Sequence, residues 1–115
     1  MNKSNNIVIG KLGEEKAKNY LIEKGYKILC INYKCKIGEI DLIAKDNDTI
    51  VFVEVKTRSS DAFGMPREAV NYRKQNKIRL VAQVYLKANK FYSKSCRFDV
   101  IDILKVKITH IENCF

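Results

Sequence analysis

Gly38-Glu39-Ile40-Asp41-Leu42-Ile43-Ala44, then Lys45-Asp46-Asn47-Asp48, then Thr49-Ile50-Val51-Phe52-Val53-Glu54-Val55-Lys56-Thr57, read as two strands joined by a polar turn. The link is too short for anything but an antiparallel hairpin. Centred on Asn47 and Asp48, the hairpin sets Asp41 opposite Glu54 to within a residue or so. Facing positions on such a pair hold their Cβ atoms ~5 Å apart. Strand side chains alternate faces, so Phe52, Glu54 and Lys56 share one side of the sheet.

Two facing carboxylates repel, and one of them would ordinarily have its pKa raised. A divalent cation reverses the sign of that interaction. Mg²⁺ and Mn²⁺ are hard ions, held by one or two carboxylates together with waters and substrate phosphates. Such an ion polarises a phosphodiester oxygen and acidifies its bound water. A lysine two residues along could orient or help deprotonate that water, or stabilise charge developing on the phosphate. The competing reading is an ordinary exposed Glu-x-Lys ion pair. The apolar run before Glu54, and Asp41 one hairpin arm away, favour the chemical reading.

Working outward, apolar residues Ile9, Leu12, Ala17, Tyr20 and Leu21 recur at helical spacing between Ile7 and Lys24, with Gly25 as a stop. Glu14 falls at the edge of that stripe, close to Leu21 on the wheel, whereas Glu15 projects to solvent. Tyr26 to Tyr33 reads as a first strand, and Lys34-Cys35-Lys36 as a basic turn. Ser59 to Gly64 is a polar loop, and Pro66 suits the first turn of a second helix ending near Ala88. The stripe of that helix is Val70, Ile78, Val81, Ala82, Tyr85 and Leu86; much of its other surface is basic. Arg97 to Leu104 reads as a fourth strand, with Lys105 to Ile111 as a candidate fifth. The order α-β-β-β-α-β, with that extra C-terminal strand, predicts an α/β fold whose mixed central sheet is flanked by helices.

A chain of 115 residues has room for one core, so residues 1–115 are read as a single domain. No apolar run approaches the ~20 residues that span a bilayer, so the expected setting is cytoplasmic, without membrane association. Twenty-two Lys and Arg against thirteen Asp and Glu leave a net charge of +9. That excess attracts polyanions, and nucleic acid is the commonest inside a cell. Arg58, Arg67, Arg73, Lys74 and Lys77 are the expected phosphate contacts. A protein-interaction domain with an incidental basic surface is the competing class. The four cysteines lack the paired spacing of a zinc site. They are expected to be reduced and mostly buried.

Gly13-Glu14-Glu15-Lys16-Ala17, Gly38-Glu39-Ile40-Asp41-Leu42-Ile43-Ala44, Val51-Phe52-Val53-Glu54-Val55-Lys56-Thr57-Arg58 and Arg97-Phe98-Asp99-Val100 together resemble the YraN family of bacterial proteins. The likeness runs from Gly10 to Phe115, with the motifs in order. It implies a restriction-endonuclease-like fold of the PD-(D/E)XK nuclease superfamily, similar to archaeal Holliday-junction resolvases. It further implies Asp41 and Glu54 as ligands of Mg²⁺ or Mn²⁺, with the main-chain carbonyl of Val55 beside them. Lys56 becomes the catalytic lysine and Glu14 a helix-borne acid. Ile40 stands where many members of the superfamily have proline. The expected activity is metal-dependent endonucleolytic cleavage of DNA, with branched or structured DNA suggested by the resemblance alone. The alternative is a nucleic-acid-binding module of the same fold without catalysis. Either reading leaves a homodimer open.

Other residues carry default roles. Lys74 lies among the apolar positions of the second helix, where a snorkelling lysine is the ordinary reading and a phosphate contact the sharper one. Asp99 is expected to make a structural hydrogen bond, His110 to do nothing chemical, and Tyr26, Tyr33, Tyr72 and Tyr92 to pack rather than stack on bases.

Overall fold

The computed structural model describes residues 3–58 and 70–115. The expected polar loop from Ser59, the helix start at Pro66 and the contact residue Arg67 lie outside these. Helix α1 (Lys3–Glu23) leads into strands β1 (Lys27–Lys34), β2 (Glu39–Asp46) and β3 (Thr49–Arg58). Helix α2 (Tyr72–Ala88) follows, then β4 (Ser95–Leu104) and β5 (Lys107–Ile111). The five strands form one sheet in the order β1-β2-β3-β4-β5. All neighbours are antiparallel except β3 and β4, which run parallel from Thr49↔Ser95 to Arg58↔Leu104. This is the mixed sheet of a restriction-endonuclease-like fold.

The β2–β3 hairpin has the expected register. Asp46 faces Thr49 and Leu42 faces Val53, with Asn47 in the left-handed region at φ 53°. Asparagine tolerates that conformation better than most residues, so the turn closes on Asn47 and Asp48 alone.

The helices cover opposite faces. On the α2 face Ile78, Val81, Ala82 and Tyr85 pack on Ile43, Ile50, Phe52 and Val100. On the α1 face Ala17 and Leu21 pack on Leu42, Val51, Val53, Ile101 and Ile103. Alternation along β3 therefore sends Ile50 and Phe52 to α2, and Val51 and Val53 to α1.

Two helix boundaries carry their reasons. Gly25 takes φ +93° after α1, a conformation glycine adopts without Cβ strain. Asn71 caps α2, its side chain accepting the Lys74 N–H at 2.9 Å from an extended backbone. The second helix therefore begins at Tyr72, and Val70, expected on its stripe, is buried just ahead of the cap.

Two further expectations need correction. Leu12 was placed on the buried stripe of α1 but is 56% exposed. The line facing the sheet is Gly13, Ala17 and Leu21 at i, i+4 and i+8, and Leu12 sits about 100° away from it. The cysteines are less buried than expected: Cys30, Cys35 and Cys114 are half-buried against the α2-side core, and Cys96 is exposed. Cys30 lies on the edge strand β1, Cys35 and Cys114 just outside the strands, and Cys96 at the start of β4, positions that the helices do not cover completely. Among the described residues, no helix is long and apolar enough to cross a membrane.

Candidate functional site

The paired register of β2 and β3 ends at Leu42↔Val53. One residue beyond, the Asp41 carboxylate accepts the Val55 N–H at 2.8 Å, taking the place of a ladder acceptor where the strands part. Glu54, between those two positions of β3, sends its side chain to the α2 face and keeps only 7% of it exposed. Burial and the neighbouring Glu54 charge push the Asp41 pKa up to about 7, against the weaker opposing pull of the Val55 N–H.

Two ammonium groups converge on this acid pair. Lys56, two residues along β3, lies 3.5 Å from Glu54 Oε1, and Lys74, in the first turn of α2, lies 2.6 Å from the same oxygen. Burial and then Lys74 lower the pKa of Lys56 below the ordinary lysine value. Lys74 goes the other way: burial works most strongly against its charge, but the hydrogen bonds to Glu54 and Lys56 and the charges of Glu54 and Asp41 together outweigh it and raise the pKa.

Glu14 reaches the same cleft from α1. Asn32 Nδ2 donates to its Oε2 at 3.0 Å from a left-handed backbone at φ 53°. The approach of α1 depends on Gly13, since a Cβ there would overlap the Thr57 side chain on β3. Glu15 points away and pairs with Lys18 at 2.8 Å, as the wheel requires. A cavity of about 370 Å³ joins these parts, lined by Glu14, Glu39, Asp41, Glu54, Lys56 and Lys74 among others.

The donor set suits a hard cation held partly by water. Asp41 and Glu54 bring carboxylates to this cavity, Val55 lines it between them and Lys56, and Glu14 flanks it. Among the described residues there is no cluster of three or more His, Cys, Asp or Glu able to enclose a metal. Asp41, Glu54 and Glu14 are carboxylates of this cavity that could share in holding such a cation.

The other expected contact residues scatter. Arg58 is committed to Asp102, its Nε 2.8 Å from Oδ1 and its Nη2 donating to Oδ2 at 3.1 Å, with 12% of its side chain exposed. Arg73 and Lys77 are exposed on α2, and Lys77 shares with Lys74 a groove running past Gly38. Lys74 does not snorkel outward; its ammonium turns in to Glu54. Sequence reasoning missed Asn32 and Glu39 altogether. An asparagine within a strand run is a weak sign of backbone irregularity, and Asn32 itself departs from the extended conformation of β1 at φ 53°.

A second charged cluster occupies the α1 face. Asp99 is fully buried, accepting from Arg97 Nε at 3.1 Å and from the Asn113 N–H at 2.9 Å, with His110 Nε2 2.7 Å from its Oδ2. Arg97 also reaches Asp46 at 2.9 Å. Burial alone would raise the Asp99 pKa, but hydrogen bonds from His110, Arg97 and Asn113 hold it below the usual carboxylate value. His110, for which no chemical role was expected, serves as a structural partner, its Nδ1 3.3 Å from the Tyr20 hydroxyl.

The profile of the uncharacterised protein family UPF0102 matches residues 13–103. A UPF0102 protein of Alkaliphilus oremlandii is 56% identical over 96% of this chain and 99% of its own length. One from Caldanaerobacter subterraneus is 50% identical over the whole of both chains. A third, from Clostridioides difficile, is 50% identical over 96% of this chain and 99% of its own.

Proposed function

Because this chain belongs to the UPF0102/YraN family, distantly related to PD-(D/E)XK-like folds, we propose that it is a divalent-metal-dependent nuclease acting on DNA. The observation that carries the reading is the Asp41–Glu54 pair. A half-buried carboxyl whose pKa is pushed to about 7 beside a second buried carboxylate is costly unless something cationic uses it.

Asp41 and Glu54 would hold Mg²⁺ or Mn²⁺, with the Val55 carbonyl as a further donor. Bound there, the ion would supply charge for a phosphodiester oxygen and acidify water. Asp41 is held in place for this by the Val55 N–H, so its carboxylate needs little reorganisation. Lys56 stands beside the pair with a lowered pKa, which suits it to take a proton from the attacking water or to meet charge on the phosphate. Glu14, steadied by Asn32, borders the water side of the cavity. Arg73, Lys77 and the net charge of +9 favour a polyanion at the cavity mouth.

The test is Lys56→Ala with duplex, single-stranded, flap and four-way-junction DNA, with Mg²⁺ and Mn²⁺ separately. Cleavage should fall ~10²- to 10⁴-fold while DNA affinity, shared among many basic residues, changes little. Tight binding of all four DNAs by the unaltered protein, with cleavage of none, would favour the non-catalytic binding module. Equal cleavage by wild type and Lys56→Ala would move the chemistry off this lysine.

A further inference from the structure

Lys74 sits where helix electrostatics argue against it. The first turn of α2 contains no acidic residue, and unpaired N–H groups there already carry partial positive charge. The Asn71 cap fixes the Lys74 backbone in that turn, and 39% of its side chain remains exposed. The ammonium nevertheless turns inward and makes the shortest ion pair of the site, 2.6 Å to Glu54 Oε1. Lys56 approaches the same oxygen only to 3.5 Å. Asp41 also gains favourable charge interaction from Lys74. One flexible side chain from another element thus places positive charge where two acids from a hairpin converge.

The geometry points to Lys74 as a tethered counter-cation that occupies the acid pair until a divalent ion displaces it, whereupon its ammonium is released to a phosphate of the DNA. This deepens the proposed function and rests on Asp41 and Glu54 being metal ligands. A cation arriving at Glu54 must break a contact that the protein makes with itself. Metal affinity in the absence of DNA is thereby held down. The displaced ammonium remains on a four-carbon stem at the cavity wall, so it adds a phosphate contact only in the metal-loaded protein. Metal and DNA should each strengthen the binding of the other, as linkage requires.

The experiment is calorimetric titration of Mn²⁺ into the DNA-free protein, wild type against Lys74→Met and Lys74→Gln. Methionine keeps most of the stem and glutamine keeps polarity, so the two together separate charge from packing. Lys87→Met, exposed in the last turn of the same helix, controls for the general loss of a positive charge. Both Lys74 variants should bind Mn²⁺ about tenfold or more tightly than wild type, with Lys87→Met changed by less than about twofold. Added DNA should tighten Mn²⁺ binding in wild type and do so far less in the Lys74 variants. Equal or weaker Mn²⁺ binding by the Lys74 variants would overturn the displacement while leaving the metal site standing, as would an equal gain in Lys87→Met. No Mn²⁺ binding by any of the proteins would overturn both the displacement and the metal site.

Discussion

Glu54 and Asp99 are neighbours in the sheet, since Val53 pairs with Asp99 and Glu54 with Val100. Both are buried, yet they live in opposite circumstances because alternation sends one to the α2 face and the other to the α1 face. Asp99 is surrounded by donors: Arg97, His110 and a backbone N–H satisfy both of its oxygens. Glu54 faces a second acid, and its compensation comes from two partly exposed lysines that crowd one oxygen. A saturated buried carboxylate has nothing left to bind, whereas an acid pair met by lysines that share one oxygen still has oxygens to offer. Charge alone does not separate structure from function here; the number of fixed partners does.

Removing Asp99 should break the comparison most violently. Asp99→Ala would leave His110 without its carboxylate partner and Arg97 with only Asp46 and Glu112 as acidic partners, and should cost ~3–5 kcal/mol in urea unfolding. Asp41→Asn should cost no more than ~1 kcal/mol in metal-free buffer, and relief of repulsion with Glu54 could make it stabilising. A larger loss from Asp41→Asn than from Asp99→Ala would reverse the assignment of the two clusters.

A smaller perturbation separates the faces mechanically. Gly13→Ala forces the middle of α1 off Thr57 and should cost ~1–3 kcal/mol, as overpacking does. It should also weaken Mn²⁺ binding or cleavage by displacing Glu14. The Asp99 cluster, reached by Tyr20 and Lys24 from the far end of the same helix, should be spared. The His110 ring signals in NMR spectra, unchanged in Gly13→Ala, would confirm this; a shifted His110 would mean that α1 moves as a whole.

The smallest effect is in the pH dependence of the metal-free protein, and the two acids have opposite signs. The folded pKa of Asp99 is depressed, so its stabilisation is present above the ordinary carboxylate range and is lost as pH falls through the folded value. Asp41 is raised from 3.8 to about 7, so its contribution is greatest below pH 3.8 and is lost as pH rises toward and through 7. With chelator present, Asp41→Asn should gain on wild type between pH 5 and 8, by about 1 kcal/mol given screening by water in the cleft. The deficit of an Asp99→Asn variant should instead shrink as the pH is taken below about 4.

Local information carried the hairpin. A turn at Asn47–Asp48 and strict alternation were enough to bring Asp41 to Glu54 and to put Lys56 on the same face as Glu54. Glu14 was legible from the helix wheel, although the wheel also placed Leu12 inward, because periodicity does not say which edge of a stripe the sheet will meet. The inward turn of Lys74 was not legible. It depends on the crossover that sets β4 parallel to β3 and lays α2 over Glu54, a relation between distant segments. The commitment of Arg58 was obscure for the same reason: its partner Asp102 is supplied by the neighbouring strand β4. The structural hydrogen bond expected of Asp99 is present, although its partner His110 comes from β5 and only Arg97, two residues before it on β4, is local.

The parallel junction between β3 and β4 has a consequence for assembly during synthesis. The β1–β2–β3 meander closes through short links, whereas Thr49 meets Ser95 only after α2 has been made and laid across the sheet. Closing that long loop is entropically dearer and slower. On a ribosome, which releases the chain from its N-terminus, Asp41 and Glu54 can come together while α2 is still being translated. Of the two lysines that meet the acid pair among the described residues, Lys56 is therefore the first to arrive. The second cation and the parallel strand that encloses the pair arrive with the last contacts to form.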